Sequence, residues 1–400
     1  MMPRTSKFGR LLVVLGSVAL VASACSSDDG DSTSDDTESS AAATEEATTE
    51  AMTEDMTEAS SEAGDETVAA EDGDVPAWCG PDEITLGFTD GFGGNSWRVV
   101  TTESARQEAE KCPSVTELLY ADGQGDTQKA ISDIQGMVAT GADAIVVFPD
   151  AGDAMLPALR SAYEAGVVTV PYRVDPGGTA GEDFDIFIPS TFVEDGRSWG
   201  EWIAEVLPDG GNVLFLSGPA GNSQGVDERA GLEEVLEPLG GFEFIGEQPF
   251  EVTNWDPALT QEVLTSAISR FEEIDVIVSD FGPSLVGALP VFEESGRSIP
   301  ALATSDGNAL GCFWEENQAD NPDFDLFTVE TGNDHARLAI QWAVALATGG
   351  ETPDSEEFVA QPFENSLTDD PNPVTCFPDL PGDIYVSADI PPEEQAELLG

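Results

Sequence analysis

The stretch Gly141-Ala-Asp-Ala-Ile-Val-Val-Phe-Pro-Asp150 decides the fold. Its apolar run, Ala144 to Phe148, shows no polar alternation, so both faces of the strand must be covered, as in a parallel sheet buried between helices. Just upstream, Ile131, Ile134, Met137 and Val138 share one helical face, and Gly141 supplies the stop. The same alternation runs outward in both directions. On the N-terminal side lie strands at 84–88 and 115–120 with a helix at 97–111. On the C-terminal side, helices are predicted at 154–165, 197–207, 228–239, 257–271, 284–294, 309–317 and 335–348. Strands at 167–172, 212–216, 242–245, 276–279, 301–304 and 325–329 separate them. Asp256 before Pro257 reads as an N-cap followed by proline in the first turn. Strict βα alternation over about 270 residues predicts an α/β protein, and the strands are too many for one small sheet. Two doubly wound parallel-sheet lobes are therefore expected. After residue 350 the periodicity stops and prolines recur at 362, 371, 373, 378, 381, 391 and 392, so residues 356–400 read as an irregular tail packing on the lobes.

The N-terminal end reads differently. Arg4, Lys7 and Arg10 precede the apolar run Leu11 to Ala22, and small residues lead to Cys25. This is the layout of a secretory signal over residues 1–24, and the run is short for a membrane span. A cysteine directly after the small residues fits lipidation at Cys25, and an ordinary cleavage site beside a chance cysteine is the alternative. Residues 25–78 form an acidic tether. Positions 26–75 hold 18 acids and no base, with almost nothing large and apolar to offset the entropy of ordering.

Charge and composition exclude several functions. The 400 residues carry 78 Asp and Glu against 14 Lys and Arg, a net charge of −64. Nucleic-acid binding by the bulk surface needs the opposite sign. Self-repulsion of this size is relieved by salt, which points to a saline setting. The single histidine, His335, excludes multi-histidine metal centres, and is expected at the surface or a hinge. Four cysteines remain after Cys25, which allows three pairings in an exported chain. Cys79 precedes the first strand and Cys112 follows the first helix, at the same end of one βα unit. Cys79 is therefore paired with Cys112, and Cys312 with Cys376 of the tail. A zinc site lacks any C-x₂-C spacing. Gly91-Phe-Gly-Gly94 lacks the spacing and lysine of a nucleotide-binding loop, and no serine-hydrolase elbow appears. No cofactor is expected, and the chain is read as a non-enzyme.

Several stretches, in order, resemble one family. They are Gly87-Phe-Thr-Asp-Gly-Phe-Gly-Gly-Asn-Ser-Trp-Arg98, Asp122-Gly-Gln-Gly-Asp126 and the opening stretch with Asp153. Gly218-Pro-Ala-Gly-Asn-Ser-Gln-Gly-Val-Asp-Glu-Arg-Ala-Gly231, Asn254-Trp-Asp256, Val276-Ile-Val-Ser-Asp280 and Ser305-Asp-Gly-Asn308 continue them. From about Ile84 to Gly350 the chain is similar to the ribose/galactose-type periplasmic substrate-binding proteins of sugar ABC transporters, the type I binding-protein fold. The resemblance implies an N-terminal lobe over 79–189 and 333–355, a C-terminal lobe over 190–332, a three-crossing hinge, and one small ligand in the cleft. It implies ABC permease subunits as partners and a monomer outside the membrane. It places Asp90, Asn95, Trp97 and Arg173 on the ligand from the first lobe, with Tyr172 where an aspartate is usual. From the second lobe it places Asn222, Trp255, Asp280 and Asp306, with Asn333 near Thr331, where a glutamine is common. The family's second arginine falls on Val226, for which Arg229 or Asn222 can compensate.

The chemistry of these residues agrees with such a ligand. A sugar presents apolar C–H faces to aromatic rings, and hydroxyls that donate and accept to Asp, Asn and Arg at strand ends. Core packing for Trp97 and Trp255, and solvated turns for Asp90, Asp280 and Asp306, are the plainer alternatives. Two further functions stay open: the ligand-sensing ectodomain of a signalling system, and an exported carbohydrate hydrolase using two carboxylates.

Overall fold

The computed structural model describes residues 75–91 and 93–400. Cys25, the signal segment and nearly all of the tether lie outside the described residues. The first lobe runs β1 (Ile84–Asp90), α1 (Ser96–Glu110), β2 (Val115–Asp122), α2 (Thr127–Thr140), β3 (Ala144–Val147), α3 (Leu156–Glu164), β4 (Val168–Arg173) and β5 (Ile188–Pro189). Its five strands order β2-β1-β3-β4-β5, all parallel. β3 is buried along its whole length, as the unbroken run predicts, with helices on both faces of the sheet. Truncating Ile145 in such a strand to alanine costs about 2–5 kcal/mol. Asp126 caps α2 by accepting from the backbone N–H of Gln128 and Lys129, and Gly141 ends it at φ 100°. A side chain there is disfavoured in that left-handed region.

The second lobe continues with α4 (Phe192–Val206), β6 (Gly211–Ser217), α5 (Ser223–Leu239), β7 (Phe242–Ile245), β8 (Glu251–Val252), α6 (Pro257–Arg270), β9 (Val276–Ser279), α7 (Pro290–Glu294), β10 (Ala301–Ser305), α8 (Asn308–Asn317) and β11 (Leu326–Val329). The chain then returns through α9 (His335–Thr348) to pack on α1 and β4 of the first lobe. It crosses a third time to β12 (Pro362–Asn365), which joins β11 antiparallel at the edge of the second sheet. That sheet orders β12-β11-β10-β9-β6-β7, with β8 also on β6.

Two expectations are corrected and one is narrowed. The helix predicted at 284–294 is only the short α7, because Pro290 leaves a turn before it. The tail is not irregular throughout: it contains β12 and ends in α10 (Pro392–Leu399). Of the two places expected for His335, the surface is excluded: it is fully buried at the second crossing, one of the hinge segments, its ring stacked on Phe358 and its Nε2 2.9 Å from the carbonyl of Ile188. Burial lowers its pKa well below the usual histidine value.

Disulfides join Cys79 to Cys112 and Cys312 to Cys376, with Cα atoms 5.3 and 4.6 Å apart. The second one ties the tail to α8. From there Asn308 holds the tail backbone, donating to the carbonyls of Phe377 and Pro381 and accepting from the N–H of Phe377. The tail then reaches the first lobe, where Tyr385 and Ile390 pack on Val100 of α1 and the Tyr385 hydroxyl meets Ser96. Residues 376–400 therefore touch both lobes.

Candidate functional site

All first-lobe strands and the core strands of the second sheet end toward the interlobe space, so the residues at their C-terminal ends converge there. Arg173 closes β4, Asp280 follows β9, Ser305 closes β10, and Glu330 follows β11. With Asp195 and Trp199 of α4 and Gln224 and Glu228 of α5, they line a narrow interlobe cavity of about 20 Å3 that is partly open to solvent. Two glycines set the α4 and α5 contribution. A Cβ on Gly196 would lie 2.0 Å from the carbonyl oxygen of Glu228, and one on Gly231 2.1 Å from that of Val193. The two helices thus pack backbone to backbone, and the neighbouring Asp195 and Glu228 are carried to the cavity wall.

The cavity is polar and short of partners. Asp195 Oδ1, Glu228 Oε2 and Asp280 Oδ1 are buried without a hydrogen-bond partner. Burial raises Asp195 to about 8, against the pull of Arg173, and raises Asp280 to about 6. Burial also lifts Glu228 well above the usual carboxylate value, with Asp280 and Asp195 adding repulsion. The Arg173 guanidinium is buried, which lowers its pKa, and lies 4.9 and 5.2 Å from the ring centroids of Trp97 and Phe192. Arg173 holds φ 65° and Trp255 φ 55°, left-handed backbone that costs a non-glycine residue about 1–3 kcal/mol and persists where the surroundings enforce it. Trp255 is exposed, and it donates its indole N–H to Asp280 Oδ2 at 3.0 Å; Ser217 Oγ donates to the same oxygen at 2.5 Å.

Of the nine residues expected on a ligand, Arg173 and Asp280 line the cavity, with Trp255 one hydrogen bond behind. The others have partners of their own. Asn95 caps α1 by accepting from the N–H of Arg98, and Asn222 caps α5 by accepting from the N–H of Gly225. Asp90 pairs with Arg98 at 3.0 Å, and Arg98 also holds Asp150 at 2.6 Å. Trp97 donates its indole N–H to the Thr331 carbonyl at 3.1 Å. Asn333 donates to the Trp97 carbonyl at 3.1 Å and to Thr101 Oγ1 at 3.0 Å. These two residues fasten α1 to the second crossing.

Asp306 departs furthest from expectation. It is fully buried, and the tail takes both of its oxygens: Ser387 Oγ donates to Oδ1 at 2.5 Å and Ser387 N–H to Oδ2 at 3.0 Å. Thr331 N–H in turn donates to Ser387 Oγ at 3.2 Å. The residue read as the firmest ligand contact thus serves as the seat of the C-terminal tail. Sequence reasoning missed Asp195, Glu228, Gln224 and Glu330, since nothing distinguishes four polar residues in so acidic a chain. The close-packed Gly196 and Gly231 were the one available signal.

The comparisons with known proteins accord with this architecture. Residues 87–351 match the periplasmic binding protein domain family. The galactofuranose-binding protein of Escherichia coli K12 is 25% identical over 217 residues, 53% of this chain and 67% of that protein. The ribose import binding protein of Bacillus subtilis 168 is 25% identical over 244 residues, 58% of this chain and 75% of that one. Among solved structures, the arabinose ABC transporter's periplasmic binding protein from Shewanella sp. ANA-3, bound to L-arabinofuranose, superposes with a TM-score of 0.59. At 20% identity the match covers 70% of this chain and 91% of that one, and shows the fold. With the family match spanning most of both lobes, the chain belongs to the periplasmic binding protein family.

Proposed function

We propose that this chain is a receptor outside the cytoplasm that captures a small carbohydrate or polyol between its lobes and delivers it to an ABC importer. The observation that carries this is the cavity wall, where a buried guanidinium stands among carboxylate oxygens that lack partners. Hydroxyls both donate and accept, so one polyol satisfies the carboxylates and the arginine together, and a buried group left unmet costs about 1–3 kcal/mol. The family consists of binding proteins, and no catalytic role is assigned to the carboxylates. The relatives named for galactofuranose, ribose and arabinose support the ligand class. Lipidation at Cys25, followed by the acidic tether, holds the receptor at the outer face of the membrane in this reading. A thermal-shift screen against pentoses, hexoses, polyols and inositols tests it. Stabilisation by at least one member is expected; the absence of any shift across the panel contradicts it.

A further inference from the structure

Charge balance in the cavity narrows the ligand class. Its wall holds four carboxyl side chains, Asp195, Glu228, Asp280 and Glu330, against one cation, Arg173. The first three are at least nine-tenths buried, and each lines the cavity while keeping one buried oxygen without a hydrogen-bond partner. A neutral polyol can hydrogen-bond these carboxyls only as burial leaves them, largely protonated, whereas a cation is the partner that stabilises them ionised in a poorly solvated site. Trp255, whose ring edge bonds Asp280, adds a π face beside the carboxylates.

Resting on the carbohydrate reading above, we propose that the ligand is a polyol bearing a protonated amine, an amino sugar or amino-cyclitol. Its ammonium sits among Asp195, Glu228 and Asp280, and its hydroxyls reach Arg173 and Glu330. In the empty site burial favours the protonated carboxyls, so the incoming ammonium displaces protons and binding releases them. The charged groups facing this centre are Arg173 from β4, Asp195 with Glu194 behind it from α4, Glu228 from α5, Asp280 after β9 and Glu330 after β11.

The test is calorimetric titration of the full chain with matched pairs that differ only by hydroxyl against ammonium: D-galactose with D-galactosamine, and myo-inositol with scyllo-inosamine. Putrescine serves as an amine without hydroxyls. The aminated member of at least one pair is expected to bind ten-fold or more tightly. Its heat should vary with buffer ionisation enthalpy, reporting proton release. Glu228→Gln and Asp280→Asn should each shrink the preference. Equal or tighter binding of the neutral members overturns the inference and leaves the carbohydrate reading standing. Putrescine binding as tightly as the amino sugars overturns the polyol requirement and the carbohydrate reading with it. Binding of none of the probes overturns both.

Discussion

Replacing Ser387 by alanine separates the structure's account of Asp306 from the one its sequence position invites. In the folded chain Ser387 Oγ donates to Asp306 Oδ1 and accepts from Thr331 N–H, and Asp306 is fully buried. Alanine removes one hydrogen bond to the buried carboxylate, which keeps the backbone N–H groups of Ser387, Val386 and Thr331. Losing a hydrogen bond to a charged group costs about 1.5–3 kcal/mol, so destabilisation of that size is expected near pH 8. Burial holds Asp306 at about 6, so at pH 5 the carboxyl is largely protonated and the loss should shrink. Urea denaturation of Ser387→Ala and wild-type protein at pH 5 and pH 8 measures both quantities. Limited proteolysis should also show earlier cleavage within 383–400. A midpoint change below about 0.5 kcal/mol at pH 8, or equal losses at both pH values, would refute the reasoning.

Stability should fall as pH rises. Burial holds Asp280 and Asp306 near 6 and Asp195 and Glu364 near 8, all above their unfolded values of about 4, so the folded chain binds the extra protons. The stabilisation is complete below about pH 4 and is lost as pH climbs through 6 and 8; Glu364→Gln should flatten the upper part of a melting-temperature profile. Raising salt from low to molar concentration should raise the melting temperature by screening the net −64, and a flat response would mean local charge compensation. The Cys312–Cys376 bridge spans 64 residues and is worth about 4 kcal/mol in the chain-entropy model, so the double serine variant should lose stability and expose residues 376–400 to hydrogen exchange. Cys25→Ser should release the chain from membranes, which fractionation reads directly; full retention would end the lipid-anchor proposal.

The two lobes were legible because unbroken runs such as Ala144 to Val147 occur only where helices cover both sheet faces, and because Gly141 and Asp126 punctuate helices by local chemistry. The disulfide partners followed from the ends of one βα unit. The tail was not legible. Its order comes from a bridge to α8, from Asn308 holding its backbone and from Gln395 tying Tyr385 and Ile390, contacts with no periodicity to read. The site was half legible. Arg173 and Asp280 sit where strand ends predict, but Asn95 and Asn222 carry the same sequence signal as helix caps, and that is the work they do. The hold of the tail on Asp306 was not legible because its partner, Ser387, lies 81 residues away.

The central claim, that the interlobe cavity is the binding site, is tested most directly by titrating wild-type, Arg173→Met and Asp280→Asn proteins with the tightest ligand found in the panel. One ligand per chain is expected for the wild type. Each substitution leaves ligand groups unpaired in a desolvated site, so affinity should fall about 10-fold to 100-fold. Wild-type affinity in both variants would place the ligand elsewhere and contradict the account.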